Sequence, residues 1–313
     1  MMEYGSVCTN VDIYTSPEDI GIQGVTLYSS NKLMKSKEIK ALINRRTYSD
    51  IYYIPEASTT FNTFVRAWML KMQAPQRAKI HIISSQKRHL RTWQKIILKI
   101  IGYQHVITLS QSAYIYMRGL GADSTFIPLG SDTNVFKPVT YKDKLGLRDT
   151  YGIPQDAKVA LPVGHVRKSR NIQSLITLAD KGWYVVIVGS TSMGFENDLA
   201  RLLRSHGITI MKDYNPRIEE VYQMADVYVF PVKKADAAIE FPLSVLEAMS
   251  CSLPIVTTRF GSLPDYFENS EVFSYFETED EMCVHASNLY GKDASINRQI
   301  VRDKFSWNNI FEN

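Results

Sequence analysis

The sequence predicts an α/β protein with parallel, doubly wound sheets, and three observations carry that prediction. Apolar, β-branched runs at 159–163, 184–188, 208–211, 227–230, 255–258 and 272–275 are mostly separated by helix-like segments. That alternation is the pattern of a parallel sheet built from crossover units. Similar runs stand at 25–28, 50–54, 79–83 and 105–109 in the first half. The chain has 313 residues, enough for two domains of ordinary size.

Composition places the chain among soluble globular proteins, with 45% hydrophobic and 22% charged residues. No segment reaches the ~18 consecutive apolar residues of a membrane span. The first residues lack the basic-then-apolar order of a signal peptide. Cys8, Cys251 and Cys283 are too few and too far apart for a disulfide framework or a metal motif. No metal site is expected, and a reducing, cytoplasmic compartment is. A net charge of +4 is too mild to argue for nucleic acid, and none is expected as a partner.

The first 24 residues offer Gly21-Ile22-Gln23-Gly24 or the region around Gly5 as a ligand-facing loop, with an ordinary turn as the alternative. A strand at 25–28 is followed by a basic, helical stretch to Ile43. The strand at 50–54 ends in Pro55-Glu56-Ala57-Ser58. Ligands of an open parallel sheet bind outside the carboxyl ends of its strands, so Glu56, Ser58 and Thr59 are placed to meet one. Ser58 or Thr59 could equally cap the helix from Phe61. The strand at 79–83 runs into Ser84 and Ser85, while His81 alternates with core positions.

Residues 86–102 read QKRHLRTWQKIILKIIG. Lys87, Arg88, Arg91, Lys95 and Lys99 carry one face, and Leu90, Trp93, Ile97, Leu98 and Ile101 recur at helical spacing on another. Such a helix either packs its apolar stripe on the core or lies on an anionic membrane surface. Phe64, Trp68 and Met69 of the preceding helix could extend that surface. Ser110 is placed to cap the helix 113–120. The polar stretch 141–150 leads into the second half.

There the informative stretch is 238–267, AIEFPLSVLEAMSCSLPIVTTRFGSLPDYF with Ala237 before it. It reads as loop, helix, turn, strand and loop. Glu247 stands among Leu243, Val245, Leu246, Ala248 and Met249, where a carboxylate is costly to bury without partners. After the strand at 159–163 comes Gly164-His165-Val166-Arg167-Lys168-Ser169-Arg170-Asn171, a glycine turn followed by cations.

PLSVLEAMSCSLPIVTT resembles the nucleotide-sugar site of the retaining, glycogen-synthase-like glycosyltransferases of group 1, which have the GT-B fold. Their pattern is Glu-Gly-Phe-Gly, four residues, a second Glu, then Ala-Met-Ala-x-Gly-x-Pro-Val-Val. The second Glu falls on Glu247, and the resemblance implies that it accepts the donor's ribose hydroxyls. It also places the donor phosphates at the helix start, Leu243 and Ser244, which fits the anion preference of a helix N-terminus. The first Glu falls on Ile239, so Glu240, one residue along, is the candidate for contact with the donor sugar. Gly164, His165 and Arg170 align with the family's Gly-Arg and Lys, which neutralise the diphosphate. Tyr214, in Lys212-Asp213-Tyr214, stands where relatives meet the nucleobase, and Gly189-Ser190 lies on the donor side. Ile127-Pro128-Leu129-Gly130-Ser131-Asp132 through Phe136-Lys137-Pro138 resembles the segment that closes the family's N-terminal domain. Phe305-Ser306-Trp307 resembles the family's final helix.

The resemblance implies two Rossmann-like domains facing across a cleft. The N-terminal acceptor domain is expected over 1–138, the nucleotide-sugar domain over 139–300, and a helix crossing back over 301–313. Arg170 and Glu240 are the expected catalytic residues. Gly164, His165, Arg170, Tyr214, Leu243, Ser244 and Glu247 are the expected donor contacts, and Glu56, Ser84 and Ser85 the acceptor-side candidates. The implied reaction moves a sugar from a nucleotide-diphospho-sugar, UDP- or GDP-linked, to a glycan or lipid-linked acceptor with retention and without metal or cofactor. A peripheral membrane contact through 86–102 would place the protein at the inner membrane face. A degenerate nucleotide-sugar-binding scaffold and a nucleotide-sugar epimerase of the same fold are the alternatives, and fold alone does not choose between them.

Overall fold

The computed structural model describes residues 40–41, 49–55, 58–74, 78–189, 196–211 and 217–312. The strand expected at 25–28, the glycines before it and nearly all of the helix expected to reach Ile43 lie outside the described residues. So do Glu56, Ser190, Lys212, Asp213 and Tyr214.

The chain divides into two compact units, Met1–Phe126 and Ile127–Asn313. The first holds a parallel sheet of β1 (Asp50–Tyr53), β2 (Lys79–Ser84), β3 (His105–Thr108) and β4 (Ser124–Phe126), in that order. Its helices are α1 (Phe61–Gln73), α2 (Thr92–Ile101) and α3 (Gln111–Gly119). In α1 the buried positions Thr63, Phe64, Ala67 and Leu70 recur at helical spacing, and Phe64, Ala67 and Leu70 pack with Ile80, Ile82 and Val106 of the sheet. Phe64 is therefore core, correcting its expected place on an exposed surface. Ser110 caps α3 as expected, its Oγ accepting from the Ala113 N–H at 3.2 Å.

Across this sheet runs a chain of polar side chains with one member on each strand. Asp50 Oδ1 lies 2.7 Å from His81 Nε2, His81 Nδ1 lies 2.8 Å from His105 Nδ1, and His105 Nε2 lies 3.0 Å from Thr125 Oγ1. One proton fits between the two Nδ1 atoms, and two do not. His105 is held below the usual imidazole range by burial and by His81. Asp50 is held below the usual carboxylate range by its hydrogen bond to His81.

The second unit has a six-stranded parallel sheet in the order β10-β9-β8-β5-β6-β7. The strands are β5 (Val159–Leu161), β6 (Tyr184–Val188), β7 (Thr209–Met211), β8 (Val227–Phe230), β9 (Ile255–Thr257) and β10 (Phe273–Tyr275). Strand order reverses between β5 and β8, which pair in the centre. That is the switch point at which an open α/β sheet leaves a crevice for ligands. The helices are α4 (Tyr141–Thr150), α5 (Leu175–Asp180), α6 (Asn197–Ser205), α7 (Ile218–Gln223), α8 (Leu243–Ser250), α9 (Leu263–Tyr266), α10 (Glu279–Leu289), α11 (Ser295–Lys304) and α12 (Trp307–Glu312). Two apolar layers cover the sheet, one around Tyr228, Phe230, Leu246 and Phe305, the other around Val185, Ile187, Val229 and Phe276.

A buried ionic cluster fixes the two central strands. Asp226, at the head of β8, accepts from Arg148 Nη2 at 2.7 Å, Lys144 Nζ at 2.6 Å and the Val159 N–H of β5 at 2.8 Å. Arg148 is 3% exposed and also donates to the carbonyls of Met224, Gln155 and Ala157. The polar stretch 141–150 is thus a helix, capped by Thr140 and tied down by charge in place of a broad apolar face.

The units part after Phe126, twelve residues before the boundary at Pro138 expected from the sequence. The reason is Arg298 of α11, which donates to the carbonyls of Thr133, Phe136 and Ser250 and so ties the intervening segment to the second unit. Gly130 lies against Phe305 and Trp307 so closely that a Cβ would meet Ile310 Cδ1 at 2.7 Å. The final helix, α12, packs there.

Two outcomes follow. Asp226→Ala leaves the Arg148 guanidinium buried without its counter-charge and should cost about 3–5 kcal/mol, read by urea unfolding of the full chain. In the first unit, an unfolded histidine binds protons near pH ~6.5 that folded His105 resists. Stability is therefore complete above that pH and falls as pH drops through it. Corrected amide exchange in β2 and β3 should speed up between about pH 7 and about pH 5.5, and His105→Gln should flatten that response.

Candidate active site

The site is built at the carboxyl ends of β5 and β8. β5 runs out through Pro162 and Val163 into Gly164, whose φ of 143° suits glycine and whose N–H donates to the Val188 carbonyl. A Cβ on Gly164 would stand 2.5 Å from Arg170 Nη2, so the guanidinium lies directly over the glycine. Arg170 arrives there through a tight 3₁₀ turn, Lys168–Arg170, ended by Asn171 in the left-handed conformation at φ 58°. The Asn171 amide donates to the Pro231 carbonyl at 3.1 Å and pins the turn to the end of β8.

The Arg170 guanidinium also lies over the Phe230 ring, 5.6 Å from its centre. Among the described residues no carboxylate or carbonyl partners it. Burial lowers its affinity for its proton, and the neighbouring Tyr228 works in the opposite direction. A desolvated cation without a protein counter-charge is suited to receive an anion. His165 and Arg167 are half-buried beside it, each with a partner of its own.

α8 opens at Pro242 with no side chain capping it. Its first internal bond is from the Val245 N–H to the Pro242 carbonyl. The N–H groups of Leu243 and Ser244 have no partner among the described residues. They and the helix dipole form an anion-binding terminus. Tyr228 on β8 links the two halves: its buried phenol is within electrostatic reach of Arg170, Ser244 and Glu247, and its hydroxyl has no well-formed hydrogen bond among the described residues.

Glu247 is one turn further along α8 and half-buried. Its Oε2 accepts from Tyr222 Oη at 2.6 Å. Burial raises its carboxyl above the usual range, while the Tyr222 hydrogen bond pulls it down. Glu240 is buried at the approach to α8, its carbonyl taking the Ser262 N–H at 2.9 Å. Its backbone lies so close to Gly261 that a Cβ there would overlap the Glu240 carbonyl.

The structure thus brings together Gly164, Arg170, Ser244 and Glu247. Glu56 and Tyr214 lie outside the described residues. Ser84 does not face a ligand as expected: it is fully buried and its Oγ is bonded to Thr59 Oγ1 at 2.8 Å. Ser85 is half-buried and has a partner. Tyr222, Tyr228 and Phe230 were invisible as site residues: Tyr228 and Phe230 sit in an apolar run that reads only as core, and Tyr222 in a mixed helical segment with nothing to mark it. Among the described residues no group of three or more His, Cys, Asp or Glu side chains could hold a metal ion.

The family model for glycosyl transferases group 1 matches residues 143–303. D-inositol 3-phosphate glycosyltransferase 2 of Catenulispora acidiphila is 29% identical over 180 residues, covering 50% of this chain and 40% of that protein. The lipopolysaccharide core biosynthesis mannosyltransferase LpsB of Rhizobium meliloti is 26% identical over 204 residues, covering 60% and 55%. The matched part of this chain spans about half the length of such relatives or less. Among solved structures, Anabaena HepE in complex with UDP and glucose superposes with a TM-score of 0.72 at 16% identity, over 92% of this chain and 84% of that one. A Rickettsia africae glycosyltransferase gives 0.72 at 14% identity, over 92% and 82%. These likenesses are of fold, two parallel-sheet Rossmann-like units of the GT-B type. With the family match spanning half the chain and centred on the unit that carries Arg170 and Glu247, the chain belongs to the group 1 glycosyl transferases.

Proposed function

We propose that the chain transfers a sugar from a nucleotide-diphospho-sugar to a glycan or lipid-linked acceptor, with retention of configuration and without a metal ion. The observation that carries this reading is Arg170, desolvated and unpaired among the described residues, linked through Tyr228 to the uncapped start of α8. Such an arrangement suits a diphosphate, and Glu247 on the same helix suits the ribose diol as an acceptor-only group. The UDP bound to the Anabaena structure supports a nucleotide donor here.

In the reaction the bond between the sugar's anomeric carbon and the β-phosphate oxygen breaks, and a bond from the acceptor oxygen forms. The acceptor proton passes to the departing phosphate. Negative charge grows on that phosphate, where Arg170 and the Leu243 and Ser244 N–H groups stabilise it. Glu240 is assigned to the transferred sugar. The first unit is assigned to the acceptor, with Glu56 and Ser85 as its remaining candidates.

A thermal-shift and calorimetric screen with UDP, GDP, ADP, dTDP and their sugars tests this reading. One nucleotide should stabilise the protein whether EDTA or Mg²⁺ is present. Arg170→Ala and Glu247→Ala should each lower transfer by about 10²–10³-fold while the fold persists. No stabilisation by any nucleotide, or near-normal turnover in either variant, overturns it. The second reading, a nucleotide-sugar-binding protein without catalysis, is favoured by Ile239 in the place of the family's first Glu; donor hydrolysis without acceptor excludes it.

We also assign α2 to an anionic membrane surface. Trp93 is 50% exposed, Ile96 55% and Ile100 78%, with Arg91, Lys95 and Lys99 around them, and only Leu98 of this helix is buried. Apolar residues ringed by cations match the chemistry of an anionic lipid interface. Among relatives, an alpha-galactosylglucosyldiacylglycerol synthase of Streptococcus pneumoniae supports a lipid acceptor. Among the described residues no helix is long and apolar enough to cross a membrane. The protein should co-sediment with phosphatidylglycerol vesicles at low salt, and Ile100→Glu should weaken this. Absence of binding overturns the assignment.

A further inference from the structure

Tyr222 has no part in the chemistry above, yet it makes the one hydrogen bond to the Glu247 carboxylate found among the described residues. Its hydroxyl donates to Oε2 at 2.6 Å from near the end of α7. The ring is fully buried, edge-on to Phe136 at 5.6 Å and tilted against Tyr228 at 5.9 Å, so the hydroxyl has a fixed position. Burial, then the nearby Glu247 charge, raise its ionisation well above that of an ordinary phenol, and it remains a donor at every working pH. Glu247 Oε1 has no partner among the described residues and is not sealed from solvent.

We propose that Tyr222 is a positioning residue, fixing Glu247 through Oε2 so that Oε1 is the single oxygen offered to the nucleotide donor. This rests on the reading of Glu247 as a donor contact. Two consequences separate it from a packing role. Without the hydroxyl the carboxylate is free to turn and must be ordered when the nucleotide binds. The Tyr222 bond also opposes the effect of burial on Glu247, so its loss moves the group toward the protonated form. A protonated carboxyl presents a donor where a diol requires an acceptor.

Tyr222→Phe keeps the ring and removes the donor. In the full chain with carbonyl-labelled glutamate, the Glu247 carboxyl signal is identified by its absence in Glu247→Gln, and its titration is followed by NMR. The midpoint should rise by about one pH unit or more in Tyr222→Phe, as expected for losing a hydrogen bond to a charged group. In the other direction, 3-fluorotyrosine at position 222, a stronger donor with nearly the same packing, should lower it. UDP and GDP titrations of the same proteins should show about five- to twentyfold weaker binding in Tyr222→Phe near pH 7, and a larger loss in Glu247→Gln. An unmoved midpoint in both Tyr222 proteins overturns the proposal. A raised midpoint with full nucleotide affinity in Glu247→Gln overturns instead the donor reading of Glu247, with the tyrosine–carboxylate couple standing.

Discussion

The second unit depends on Asp226. One carboxylate at the head of β8 receives a guanidinium, an ammonium and the first N–H of β5, and so sets the register of the two strands between which the sheet reverses. Everything that follows at the other end of those strands inherits this alignment. Gly164 leaves β5, Phe230 and Pro231 end β8, and the Arg170 turn is hung between them. Buried ionic clusters add little net stability over apolar packing, but breaking one partner is costly. Here the cluster secures position.

At the carboxyl ends the electrostatic logic is the reverse. Arg170 is desolvated without a counter-ion among the described residues, the start of α8 is left uncapped, and Glu247 is half-buried with a single donor. Each is unfavourable in isolation, and a native fold tolerates such groups where something outside the chain completes them. An aromatic face under the guanidinium and a glycine beneath it allow the cation to sit low with no carboxylate among the described residues to neutralise it.

Much of this was legible in the sequence. The strands of the second unit are mostly apolar runs bounded by turns, the easiest pattern to read. Glu247 stood out because a charge interrupts an apolar helix, while Gly164 and Arg170 were marked by their alignment with the family's Gly-Arg and Lys. What stayed hidden has a common cause: residues whose role is set by distant partners carry no local signal. Tyr222 and Tyr228 look like core, and Asp226 like a turn residue. Ser84, by contrast, was singled out because it stands where the family that the chain resembles carries a His at the strand end, but it is claimed by Thr59 from another segment. The helix 141–150 was obscured because Arg148 does the anchoring usually done by an apolar stripe, and β4 because three residues are too short to show a period. In 86–102 helical spacing identified the helix, but not that most of its apolar residues stay uncovered.

Arg298 holds three carbonyl oxygens, two in the segment it clasps and one at the end of α8, and no side chain. A grip of this kind senses the path of the main chain and is blind to its letters. Thr133 and Phe136, whose carbonyls it takes, can therefore change side chain without losing these bonds, whereas Ser131 is held through its own hydroxyl, which accepts from Ser250 Oγ at 3.1 Å. Gly130, pressed against Trp307 and Ile310, is a position at which the spelling of that segment is not free.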